Sequence, residues 1–162
     1  MALTPAQLAT LKADILADST LSSKPMNDDG HQAIADAYKA LASPAFTVWK
    51  TLVPITQVGD KFNGAELAGL TTGNQGRLQT IAMYSAAGVN PSLADRRAFF
   101  DDVFSGAGGA VTRANLLALW KRLALRGEKL FATGTGSDAS PATLVVEGAI
   151  SRQDVATARE LP

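Results

Sequence analysis

The chain has 162 residues, 46% apolar and 19% charged, with fifteen basic residues balancing fifteen acidic ones and no cysteine. That length and apolar content predict one folded domain rather than a disordered chain. The charge balance gives no whole-molecule signal for nucleic acid or acidic lipid, and the absence of cysteine excludes disulfides, thiolate catalysis and cysteine zinc sites.

Near-zero net charge removes the self-repulsion that keeps proteins apart, so association is favoured. Met1-Ala2-Leu3-Thr4-Pro5 lacks the basic and apolar regions of a signal peptide. No apolar run approaches the roughly 20 residues that span a bilayer.

Thr4, Pro5 and Gln7 have the spacing of an N-cap, a first helical position and a capping-box partner. Leu3 and Leu8 can form a hydrophobic staple, and Leu8, Leu11 and Ile15 share a face. A second helix is predicted from Asn27 to Gly30 onward, with Ile34, Tyr38 and Leu41 inward and Pro44 as its stop. Phe46 to Val53 alternates loosely and predicts a short strand or an extended connection. Helical turns are expected at Thr56 and after Asn63, whose partner is Glu66.

Three stronger helices follow. The first spans roughly 72–87, with Leu78, Ile81 and Ala82 inward and Gly88 as stop. The second opens at Asn90-Pro91-Ser92 and carries Phe99, Phe100, Val103 and Phe104. The third runs from Thr112 to about Ala132 on a stripe of Leu116, Leu117, Trp120, Leu123, Leu130 and Phe131. Residues 133–141 read as a turn-rich loop, Leu144 to Val146 as a brief strand, and Ser151 with Asp154 as the cap of a last short helix. The expected fold is mostly α: a bundle of about five helices over 1–132, an extended C-terminal arm over 133–162, and little or no β-strand.

Candidate chemistry is sparse. Gly134-x-Gly136 lacks the third glycine of a dinucleotide loop and the lysine of a P-loop, which leaves a flexible loop. His31 is the sole histidine, and its Asn27-Asp28-Asp29-Gly30 neighbours read as a helix cap rather than a calcium loop. Asp60, Glu66 and Glu128 are the carboxylates available for a glycosidase pair, but Glu66 reads as a cap partner and Glu128 as a helix-surface residue. No catalytic, cofactor or metal residue is therefore assigned.

Two sets of residues are assigned to partners instead. Arg113, Lys121, Arg122, Arg126 and Lys129 fall on one face of the third strong helix. That face reads as solvated, or as paired with acidic groups of a partner, in preference to phosphate contact. Leu144, Val145, Val146 and Ile150 are too apolar for an uncovered arm and are expected to dock on a neighbour.

The stretch Glu128-Lys129-Leu130-Phe131-Ala132-Thr133-Gly134-Thr135-Gly136, continuing through Ser140-Pro141-Ala142-Thr143-Leu144 to Glu147-Gly148-Ala149-Ile150-Ser151 and Asp154-Val155, resembles the C-terminal part of small virion proteins of tailed phages. Ile34-Ala35-Asp36-Ala37-Tyr38, with Ser43-Pro44 and Val48-Trp49-Lys50, is similar to their N-terminal part. Among such proteins the head-to-tail adaptors are the nearest in kind. The resemblance implies a non-enzymatic adaptor that binds the portal, joins it to the tail and helps retain packaged DNA. It implies portal and tail proteins as partners, a homo-oligomeric ring and non-specific contact with packaged DNA. It also implies a place in the virion after synthesis in the host cytoplasm, with no cofactor and no membrane. The alternatives are a capsid decoration or tail-completion protein and, from another class, a virion-associated peptidoglycan hydrolase. The segment 46–70 departs from a minimal helical bundle.

Overall fold

In the computed structural model, which describes residues 2–85 and 87–162, most residues are helical. Met1 and Ala86, the latter inside the expected 72–87 helix, lie outside the described residues. The elements in chain order begin with α1 (Pro5–Ala17), α2 (Ser19–Ser22), α3 (Asp28–Lys39), β1 (Thr47–Trp49) and α4 (Ile55–Gly59). They continue with α5 (Gly64–Ala68), α6 (Thr72–Tyr84), α7 (Ala94–Val103) and α8 (Ala110–Trp120). Last come β2 (Lys121–Leu123), α9 (Arg126–Phe131) and α10 (Arg152–Glu160).

Local chemistry sets several of these ends. Thr4 and Gln7 exchange the two bonds of a capping box, at 2.8 and 3.3 Å, and start α1. Asp18 then accepts from the amides of Thr20 and Leu21 and begins α2 at once. Asn27 caps α3 through the Gly30 amide at 2.9 Å. Ser151 and Asp154 form the box that opens α10.

The chain divides into two compact units rather than one domain. Unit 1 is Met1–Thr47 with Leu123–Pro162, and unit 2 is Val48–Arg122. The chain leaves unit 1 along β1 and returns along β2, and the two strands pair as a sheet. Each unit has its own apolar cluster. Unit 1 gathers Leu11 and Ile15 of α1, Ile34 and Tyr38 of α3, and Val146, Ile150, Val155 and Ala158 of the C-terminal segment. Unit 2 gathers Val53, Val58, Ile81, Phe100, Phe104, Leu116 and Trp120. Its rings interlock, with Phe62 5.1 Å from Phe104 and Phe100 5.5 Å from Trp120 between centroids.

Two expectations need correcting. Residues 133–162 do not stand outside a 1–132 bundle, because Val146, Ile150, Val155 and Ala158 fill the core of unit 1. The loop that leads to them is also tied down: Thr133 and Thr143 exchange amide bonds at 2.9 Å, and Gly136 accepts from the Thr47 amide at 2.7 Å. Gly136 has φ +67, and a Cβ there would stand 2.1 Å from the Phe46 ring, so the position suits glycine. Leu144 to Val146 forms no strand.

The expected 112–132 helix is three elements. At Lys121 the backbone turns extended, with φ −102 and ψ 154, and β2 pairs with β1. Lys121 to Leu123 are acceptable helix formers, but strand pairing overrides that weak preference. Leu117 and Leu123, assigned to the stripe, are consequently exposed, as is Leu41 beyond the end of α3.

Candidate functional site

The five basic residues do not lie on one helix but on α8, β2 and α9. Arg113, on α8 of unit 2, donates to the carbonyls of Phe104 and Gly106. Lys121 and Arg122 lie half-buried on β2, and each has a partner within the chain. Arg126, on α9 of unit 1, reaches Asp14 at 3.2 Å and Asp18 at 3.0 Å, and its guanidinium lies 4.9 Å from the centre of the Tyr38 ring. Lys129 stands 5.6 Å over the Phe46 ring.

Around Arg126 the charges form a closed network. The Tyr38 hydroxyl donates to Asp14 at 2.5 Å. Burial, and then Asp14, push the hydroxyl's pKa up. The bond from Arg126 holds Asp18 below the ordinary carboxylate range, helped by the amides it caps and opposed by desolvation. The cleft beside this network, about 750 Å³, is lined by Asp14, Asp18, Arg126 and Lys129. Such pairing stabilises unit 1 and leaves Arg126 already committed.

The four apolar docking candidates also separate. Val146 and Ile150 are buried in unit 1, Leu144 is half-buried, and Val145 is exposed. The sequence pattern cannot show that 144–150 already has a covering surface within its own chain, since α1 and α3 lie more than a hundred residues earlier.

The carboxylates are positioned as backbone acceptors. Glu66 takes the amides of Val111 and Thr112 at 2.9 and 2.7 Å and so caps α8. Bonding from Thr112, then the Val111 amide and nearby Arg113, lowers its pKa against desolvation. That is opposite in direction to the raised pKa of a glycosidase acid. Asp60 ends α4 at the surface. Glu128 is not on a helix surface: it is 1% exposed and accepts from the amides of Leu125 and Gly148. His31 is buried on α3, neither ring nitrogen has a hydrogen-bond partner among the described residues, and Asn27 makes the cap. No group of three metal-ligating side chains occurs among the described residues, and no helix there is long and apolar enough to cross a membrane.

Glu66 carries a pH prediction. Its folded pKa lies below the ordinary 4.5, so its contribution is present above that value and is lost as pH falls through the folded one. The protection of the Val111 and Thr112 amides, relative to their intrinsic exchange rates, should therefore fall as pH drops below 4.5, and Glu66→Gln should weaken the same protection at neutral pH. Protection that is indifferent to both changes would remove Glu66 as the cap.

Unit 2 has two surface features that the sequence pattern did not single out. Met83 and Tyr84, at the end of α6, are 78% and 86% exposed. Tyr84 borders a groove of about 640 Å³ with Ile81 and Phe99, flanked by Arg77 and Arg96. A second groove, of about 370 Å³, brings together Trp49, Arg97, Arg113 and Trp120. Helical phase does place Arg77, Ile81 and Tyr84 on one side of α6, which is the signal available beforehand. No protein-family model, curated protein or solved structure matches the chain.

Proposed function

We propose that this chain is a structural protein of a tailed-phage virion, a head-to-tail adaptor that binds the portal, joins it to the tail and helps retain packaged DNA. The observation that carries this reading is the exposed apolar end of α6. Met83 and Tyr84 are exposed there, and Tyr84 borders a groove lined by Ile81 and Phe99. An apolar patch with a polar rim marks a protein interface more often than an unused surface. The resemblance of 34–50 and 128–155 to phage virion proteins supplies the identity of the partner. Glu66, Glu128 and Arg126 are committed to backbone or ion-pair contacts within the chain, which weighs against the hydrolase alternative.

Docking of 133–162 on a neighbouring subunit is the finer part of the adaptor reading. It requires the segment to leave the core position it fills in unit 1. The α6 patch needs no such release and is the first contact to test.

The test mixes the purified chain with the portal protein of the same genome and follows complex formation by sedimentation. A stoichiometric ring complex is expected. Tyr84→Asp should weaken it about thirtyfold, since an interfacial tyrosine is worth about 2 kcal/mol or more. Because Tyr84 is exposed, stability should change by less than about 0.5 kcal/mol. Binding to capsid shells but not to portal would replace the adaptor with a decoration protein. Clearing of a cell-wall suspension would replace it with the hydrolase.

A further inference from the structure

Trp49 and Trp120 are the chain's two tryptophans, and both line the smaller groove of unit 2. Arg97 stacks its guanidinium 4.1 Å from the centre of the Trp49 ring and is steadied by the Pro91 carbonyl. Arg113 is steadied by the carbonyls of Phe104 and Gly106. These bonds use one terminal nitrogen of each arginine, and a guanidinium has five N–H donors. Neither arginine is ion-paired with a carboxylate among the described residues. Trp120 is 2% exposed, and its Nε1–H has no acceptor among the described residues.

The lining charges set the sign and size of that occupant. Two arginines and Asp101 leave one uncompensated positive charge. Glu66 lies near Arg113 but is not part of the lining, and it is held by the Val111 and Thr112 amides. We infer that the groove seats an acidic segment of a partner protein, with one Asp or Glu carboxylate lying against Arg97 and Arg113. A carboxylate matches the planar fork of a guanidinium and cancels one charge. A phosphate dianion would leave surplus negative charge beside Asp101. The Trp49 ring and exposed Leu117 suit an apolar neighbour of that carboxylate. This inference concerns the chemistry of the groove and stands apart from the virion reading.

Because both tryptophans are in the site, intrinsic fluorescence of the full chain reports occupancy. The probe is acetyl-Ala-Leu-Glu-Leu-Ala-amide, compared with its Gln counterpart and with inorganic phosphate. The Glu peptide should shift the emission saturably, and the Gln peptide should bind about tenfold more weakly, as should the Glu peptide to Arg97→Gln. Asp101→Asn removes a like charge and breaks no side-chain hydrogen bond or ion pair with the described residues, so it should tighten the Glu peptide about threefold. Thermal unfolding establishes that each variant is folded, and Asp101→Asn decides the matter if Arg97→Gln is not. Equal binding of Glu and Gln peptides, or no gain with Asp101→Asn, would overturn the inference. So would a saturable response to phosphate without one to the peptide.

Discussion

A chain ending at residue 132 is expected to lose the fold of unit 1. Truncation removes Val146, Ile150 and Val155, all buried against α1 and α3, together with Ala142 and Ala158. Full burial of a large aliphatic side chain contributes about 1.5–3 kcal/mol, so the three alone account for roughly 5–9 kcal/mol. That is comparable with the whole stability of a typical domain, about 5–15 kcal/mol. The deletion also uncovers Leu11, Ile15, Ile34 and Tyr38. It takes away the contacts of Arg159 with the Lys24 and Pro25 carbonyls as well. Amide exchange in α1 and α3 should become fast, and the circular dichroism of these helices should fall. Ile150→Ala is the graded version, with an expected cost of about 2–5 kcal/mol. A 1–132 chain with native protection in α1 and α3 would restore the segment as a separable arm.

The ends of helices were legible in the sequence because capping is local. Thr4 with Gln7, Asn27, and Ser151 with Asp154 act across three residues, and the structure uses each of them. Core residues inside a strong stripe were legible for the same reason, as Phe100, Phe104, Leu116 and Trp120 show. The division into units was not, because it depends on which distant segments meet. Nothing near Lys121 marks the end of a helix; the break follows from pairing with β1, some seventy residues earlier. The five basic residues, placed on one helix by the sequence pattern, fall on three elements for the same reason. Within 144–150, Val146 and Ile150 are covered by unit 1 while Val145 is exposed, and which surface does the covering is a tertiary fact. The Trp49–Arg97–Arg113–Trp120 groove joins residues from β1, α7 and α8, and no linear spacing announces it.

Glu128→Ala should be the most damaging single carboxylate substitution in the chain. The side chain is buried at the start of α9. One oxygen accepts from the Leu125 amide at 2.9 Å and the other from the Gly148 amide at 2.9 Å. It thereby joins the first turn of α9 to the turn that carries Ile150 into the core. Gly148 has φ +96, a geometry that glycine adopts without strain, so the turn is built to present its amide. Removing the carboxylate leaves two amide donors without this acceptor, each at about 1–3 kcal/mol, and a cavity adds to that. The expected total is about 3–5 kcal/mol, measured by denaturant unfolding. Glu128→Gln fills the same volume but offers one acceptor and one NH2, so one of the two amides faces a donor. Its cost should be near that of a single lost bond, about 1–3 kcal/mol. The difference between the two variants is the second hydrogen bond together with the packing of the side chain. Equal losses for Gln and Ala would mean that Glu128 serves unit 1 through its charge, while a loss below about 1 kcal/mol for both would mean that the 148 turn is held by other contacts.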